Sequence, residues 1–200
     1  MEKAEARREA GRRIKALSDD ERSEKSGAAC RNLLEMPELR EARAVLLYAP
    51  LPDEVDVWPA LHALAGAGKR IVLPKCRSDT HDILCIEVKD LEQDLARGTF
   101  GILEPREPRS CDGVDAAGLD VVVTPGRAFD REGNRVGRGA GYYDRLFARP
   151  GFRAFKCAVA FDCQVFPEVP STPKDIPVDA VVTESGVVRM GSRFGSQSQQ

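Results

Sequence analysis

The sequence predicts an α/β protein: a single-domain, open, mostly parallel sheet flanked by helices. Three observations predict it. Short apolar runs rich in β-branched residues, such as Ala44-Val45-Leu46-Leu47-Tyr48 and Val121-Val122-Val123, have the length and composition of buried strands. Between them lie segments with helical spacing or helix caps, and strands alternating with helices favour a parallel sheet covered on both faces. A chain of 200 residues is long enough for one sizeable core, and no repeat or second domain is visible. The expected domain runs from 1 to 190. The polar, low-complexity stretch 191–200 is expected to be a disordered tail.

Taken in order, residues 3–16 predict a helix rich in basic residues, in which Lys3 and Arg7, four apart, share a face. By pattern alone this is a solvated basic helix. Ser18-Asp19-Asp20-Glu21 is a capping box opening a second helix to about Glu35, with Pro37 beyond its end. Arg43 to Tyr48 is a core strand, which Pro50 and Pro52 stop, forcing an extended loop. Asp56 is placed to cap a helix carrying Trp58, Leu61 and Leu64, which stops at Gly66 to Gly68. Strands are expected at 70–73 and 83–88, a short helix at 91–95, and a polar loop from Glu107 to Gly118. Leu119 to Val123 is a buried strand bounded by Thr124-Pro125-Gly126. Tyr143, Leu146 and Phe147 fall at helical spacing, and Pro150-Gly151 end that helix. Phe155 to Phe161 is a further strand, after which Pro167, Pro170 and Pro173 keep the chain irregular.

Charge and composition exclude several classes. The net charge of -2 makes the whole molecule a poor electrostatic binder of nucleic acid; basic charge is local. No apolar run is long enough to span a membrane. The first residues mix acids and bases without an apolar centre, which fits neither a secretory signal nor a typical transit peptide. Six cysteines form no Cys-x-x-Cys pair and accompany only two histidines, so no zinc site is expected. The chain is expected in the cytoplasm with reduced thiols, as a monomer or a homodimer.

The stretch Thr124 to Arg149, TPGRAFDREGNRVGRGAGYYDRLFAR, is the most informative. A loop with glycines at 133, 137, 139 and 141 joins the predicted strand to the predicted helix. Strand, glycine-rich loop, helix is an order that aims free backbone N–H groups at an anion. Arg127, Arg131, Arg135, Arg138, Arg145 and Arg149 outnumber Asp130, Glu132 and Asp144 here, which suits a polyphosphate. Asp144, in the first helical turn, is a candidate ligand for an accompanying magnesium ion. Without context the same loop is also a turn needing positive φ, with the arginines a solvated face. It matches neither Gly-x-x-x-x-Gly-Lys-Ser/Thr nor Gly-x-Gly-x-x-Gly.

Read as one string, Pro125-Gly126, Phe129-Asp130, Gly133-Asn134-Arg135 and Gly137-Arg138-Gly139-Ala140-Gly141-Tyr142-Tyr143-Asp144 closely resemble the signature of the 5-formyltetrahydrofolate cyclo-ligases, or methenyltetrahydrofolate synthetases. Lys3-x-x-x-Arg7, Asp53-Glu54-Val55, Phe100-Gly101-Ile102-Leu103-Glu104-Pro105 and Asp175-Ile176-Pro177-Val178-Asp179 resemble further motifs of that family. The resemblance spans the N-terminal helix to about Glu184. One departure is Lys174, where the family often has histidine.

The resemblance implies the cyclo-ligase fold, akin to the NagB, RpiA and CoA transferase-like fold. It implies ATP- and Mg²⁺-dependent cyclisation of 5-formyltetrahydrofolate to 5,10-methenyltetrahydrofolate, releasing ADP and phosphate. ATP would be bound by Lys3, Arg7, Arg135, Val136, Gly137, Arg138, Gly139, Ala140, Gly141, Tyr142 and Tyr143. Folate would be contacted by Ala49, Glu54, Phe100 and Tyr142, Glu54 accepting two adjacent pterin N–H groups. Arg138 and Tyr142 would act on the reacting groups, and Asp144 and Asp175 would hold the metal. The helical stripe makes Tyr143 the core residue of the tyrosine pair. The partners implied are these small molecules, with no nucleic acid and no membrane. Two other readings stay open: a kinase-like enzyme on another small molecule, and a non-catalytic nucleotide- or RNA-binding module. The second lacks interleaved aromatics on a strand platform.

Overall fold

A computed structural model of the chain describes residues 1–98, 103–106 and 113–191. Helix α1 (Lys3–Lys15) precedes α2 (Asp19–Leu34), which Ser18 and Glu21 open with the expected reciprocal capping box. Pro37, expected merely beyond α2, opens an extra short helix, α3 (Pro37–Glu41), at a position where its missing N–H leaves no bond unmade. Strand β1 (Ala44–Leu46) leads through the proline loop to α4 (Trp58–Gly66), and Asp56 accepts from the Trp58 N–H at 3.0 Å. Strand β2 (Arg70–Arg77) runs past its expected end because it pairs along its length with antiparallel β3 (Asp82–Val88).

The helix expected at 91–95 is instead a turn. Asp90 Oδ1 accepts from the N–H groups of Glu92 and Gln93, and Asp94 Oδ2 from those of Lys89 and Asp90. These short carboxylates take donors that a helix would use. Leu95 then starts β4 (Leu95–Arg97), paired with β5 (Leu103–Pro105). Of the expected polar loop, Ala116–Gly118 is a 3-10 turn capped by Asp115. Phe100, residues 107–112 and the tail from 192 onward lie outside the described residues.

Strand β6 (Val121–Thr124) is followed by a small hairpin of β7 (Ala128–Phe129) and β8 (Arg135–Val136), which the sequence pattern did not separate from the glycine loop. Helix α5 (Tyr142–Phe147) and β9 (Phe155–Val159) follow. Strand β10 (Ala180–Thr183), just after the Asp175-to-Asp179 motif, turns back at Gly186 into an unforeseen β11 (Gly186–Arg189).

Among the described residues, seven strands form one sheet in the order β11-β10-β9-β6-β1-β2-β3. The four inner pairings are parallel, and β3 and β11 run antiparallel at the two edges. Alternate residues supply the two faces, as a pleated strand requires. Val45, Ile71, Val121, Cys157 and Val182 pack with Ala29, Leu33, Leu61 and Leu64 of α2 and α4. Leu46, Val72 and Val122 pack on the other face with Leu146 and Phe147 of α5. At the amino ends of the strands, Asp120 accepts from the Arg43 and Ala44 N–H groups, and Asp179 from that of Lys156. The chain leaves β1 toward β2 and leaves the neighbouring β6 in the opposite direction, toward β9. The loops that follow these two strands therefore diverge and leave a crevice beyond their carboxyl ends.

Candidate active site

The crevice is lined by the loop after β1, the glycine loop after β8 and the start of α1. Helix α1 is held by a stripe of small residues: Ala6 and Ala10 pack against Ala128, Val136, Phe166 and Val169. This brings the basic end of α1 onto the glycine loop. Arg7 Nε donates to the Gly137 carbonyl at 2.7 Å. Lys3 Nζ donates to both carboxylate oxygens of Asp175, at 2.7 and 2.5 Å. The pair expected on one helical face thus faces Asp175 and the glycine loop, with both side chains bonded to the protein.

The glycine loop has the backbone its composition implies. Gly139 has φ +117° and Gly141, the N-cap of α5, has φ +70°. Among the described residues, the N–H groups of Gly137 to Gly141 make no hydrogen bond to another described residue. Arg135 is almost wholly buried, and its Nη2 donates to Asp144 Oδ1 at 3.1 Å. Among the described residues its buried Nε has no partner. Asp144 Oδ1 also accepts from the Ile176 N–H at 3.1 Å, which sets Asp144 beside Asp175, one residue earlier. Asp175 is further held by the N–H and hydroxyl of Thr172, at 2.5 and 2.7 Å. Burial raises the Asp175 carboxyl, but bonds from Lys3 and Thr172 outweigh it and the net direction is down. The Val136 side chain is buried under α1, so a ligand could meet this residue only at its backbone.

Across the crevice, the Glu54 side chain is only 7% exposed. Its Oε2 accepts from the Leu51 N–H at 3.1 Å, and its Oε1 from Arg138 Nε at 3.2 Å. Burial pushes the Glu54 carboxyl above its usual range in spite of these donors. Its neighbour Asp53 moves the other way: burial raises it, but Arg138 and Arg127 outweigh burial. Arg138 Nη2 bonds Asp53 Oδ1, and Arg127 Nη1 bonds Asp53 Oδ2. The two adjacent carboxylates are thus driven in opposite directions, Glu54 by burial and Asp53 by its two arginines. A cavity of about 480 Å³ opens beside Glu54, lined also by Arg22, Ser26, Leu51 and Trp58, a volume suited to a small ligand. Ala49 lies half-buried on the same loop.

Tyr142 and Tyr143 both pack against the α5 face of the core. Tyr142 meets the His81 ring edge-on at 5.9 Å. The buried Tyr143 hydroxyl has no partner among the described residues, and burial first, then Cys76 and Glu54, raises it well above the usual phenol. Pattern reasoning missed Asp53, Thr172 and His81 as members of the site, and counted Arg127 only among loop arginines. Asp53 stood next to Glu54, and Thr172 stands three residues before Asp175, the spacing of a local turn bond. His81 has φ +56°, which its residue type does not announce.

An open α/β sheet whose switch point joins a cation-lined glycine loop to a buried carboxylate has the arrangement of a small-molecule site. The sequence profile of the 5-formyltetrahydrofolate cyclo-ligase family matches residues 1–184, and the chain belongs to that family. It is accordingly a ligase of folate one-carbon metabolism.

The 5-formyltetrahydrofolate cyclo-ligase of Escherichia coli (strain K12) is 31% identical over 176 residues, covering 88% of this chain and 96% of its own. The Mus musculus enzyme is 26% identical over 185 residues, covering 89% and 91%. The solved structure of Aquifex aeolicus 5,10-methenyltetrahydrofolate synthetase aligns with a TM-score of 0.82 at 36% identity, covering 100% of this chain and 97% of that one. Among the described residues no helix is long and apolar enough to cross a membrane. A relative from Arabidopsis thaliana is named mitochondrial, so family membership does not fix a compartment.

Proposed function

We propose that this enzyme cyclises 5-formyltetrahydrofolate to 5,10-methenyltetrahydrofolate, converting ATP to ADP and phosphate, in the switch-point crevice. The observation that carries the reading is the meeting of two chemistries at Arg138. On one side stands a glycine loop with Lys3, Arg7 and Arg135, suited to a triphosphate. On the other stands Glu54, a buried carboxylate suited to adjacent N–H donors such as a pterin presents.

Asp144 and Asp175 fit a magnesium ion. They are hard oxygen donors brought side by side, and Mg²⁺ is commonly bound by one or two carboxylates with phosphate and water completing the shell. Among the described residues no three His, Cys, Asp or Glu side chains cluster as a metal cage, so phosphate and water would complete this shell too. When bound, the ion would offset negative charge on the phosphate oxygens. Both carboxylates hold cations of the triphosphate site, Lys3 and Arg135, so capture of MgATP is an exchange of partners.

A formamide is a poor electrophile because its nitrogen donates into the carbonyl. Transfer of the γ-phosphoryl group to the formyl oxygen makes an iminium phosphate. N10 then attacks the formyl carbon, the ring closes, N10 loses its proton and phosphate leaves. The chain's work is alignment and charge stabilisation. Lys3, Arg7, Arg135, Arg138 and the loop N–H groups hold the triphosphate. Glu54 fixes the pterin, with Ala49 beside the folate. Tyr142 packs near the formyl group. The test is the near-ultraviolet absorbance of the methenyl product on mixing protein, 5-formyltetrahydrofolate and ATP with and without Mg²⁺. Growth should need both, and Asp144→Asn should slow it by about 100-fold or more. ATP binding without growth would retain the phosphate site and remove this substrate.

A further inference from the structure

We propose that Arg138 is a latch shared by the two substrates, and that Asp53 is the positioning residue that sets how readily it is released. This inference rests on the reading of the crevice given above. Arg138 belongs to the glycine loop, yet its guanidinium is held by the opposite loop, through Nε to Glu54 and Nη2 to Asp53. A triphosphate calls on Arg138, and a pterin edge calls on both oxygens of Glu54. Neither ligand can complete its contacts while Arg138 and Glu54 hold each other.

The exchange favours joint occupancy. A phosphate that draws Arg138 away leaves a buried Glu54 without its cation, and adjacent N–H donors repair that loss. A pterin that takes Glu54 frees Arg138 for phosphate. Linkage then requires each ligand to raise the other's affinity by one common factor.

Asp53 stands apart from Glu54 in this exchange. Its side chain is 37% exposed, and its second oxygen is bonded to Arg127. Arg127 is firmly seated: its Nη2 fills the space beside Gly11 of α1, where an added Cβ would lie 2.8 Å away. Asp53 therefore keeps a cation when Arg138 leaves and needs no repair by the folate. Its hold on Arg138 opposes nucleotide capture and makes no contact that the folate would strengthen.

The experiment is isothermal titration of the full chain with the magnesium complex of the β,γ-imido analogue of ATP, with and without saturating 5-formyltetrahydrofolate. The folate should tighten nucleotide binding several-fold in the parent chain. Asp53→Asn should tighten nucleotide binding alone by about two- to fivefold, the scale of a partly exposed ion pair, and shrink the folate-induced gain by the same factor. Asp53→Glu, which keeps the charge, should restore the parental coupling. A gain in affinity is not an outcome that misfolding can produce. Nucleotide binding no tighter in Asp53→Asn, with the folate-induced gain intact, would overturn the latch and leave the functional reading standing. A parent chain that binds neither ligand would overturn both.

Discussion

Glu54 is a carboxylate kept where its charge is poorly solvated, and that has a consequence for stability as well as for binding. Burial, the largest influence, raises its folded pKa above the ordinary 4.5. A group raised in this way contributes stability that is present below the unfolded value and lost as pH rises through the folded one. Glutamine carries no such proton, and its carbonyl can still accept from the Leu51 N–H. Denaturant titrations across that window should therefore show Glu54→Gln gaining on the parent as pH rises from about 4.5 toward neutrality. The same variant should lose folate turnover by about 10- to 100-fold, the worth of hydrogen bonds to a charged group. Glu54 was legible through a motif. Its bond to Arg138 was not, because 84 residues separate the two and no local pattern records a contact across a crevice. The same holds for Asp53 with Arg127, which only the folded chain brings together.

Elements carry their own tests. Gly141 and Gly133 both need positive φ, at +70° and +86°, but their surroundings differ. An added Cβ at Gly141 would meet only the tip of the Arg145 side chain, at 3.6 Å. At Gly133 it would lie 2.4 Å from the Val178 carbonyl, which is backbone and cannot swing aside. Gly141→Ala should cost about 1–2 kcal/mol, from left-handed strain alone. Gly133→Ala should cost about 2–4 kcal/mol, because overpacking adds to the strain. Chemical unfolding of the two variants checks the order. Ser18→Ala should cost about 1 kcal/mol by removing the cap of α2. That cap, the buried strands and the helix at Tyr142 were readable because each rests on neighbours in sequence. The turn at 91–94 was misread because Asp90 and Asp94 compete for helical donors. Strand β2 was read short because its outer half is stabilised by β3, a partner that periodicity alone does not name.

At the scale of the whole molecule, the sheet order explains why residues from position 3 to position 175 share one crevice. The switch between β1 and β6 sets the two loops apart, and α1 and the segment before β10 close over them. Ligands that bind only this assembled state should stabilise all of it. At a hundred times its dissociation constant, either ligand should add about 2.7 kcal/mol. For a chain of this length that raises the melting temperature by about 5–10 °C. Nucleotide and folate together should exceed the sum of their separate shifts, which differential scanning measurements can read directly. The paired charges have one further effect. Lys3, Arg127, Arg135 and Arg138 each arrive with a counterion supplied by the chain itself, so these four do not present naked positive charge, whereas Arg7 rests on the neutral Gly137 carbonyl. A bare polyphosphate brings no cation for Asp175 or Asp144 and no N–H edge for Glu54 in return. A guest that brings a cation and an N–H edge along with its phosphates can satisfy every group it displaces, and among competing polyanions that symmetry is itself a filter.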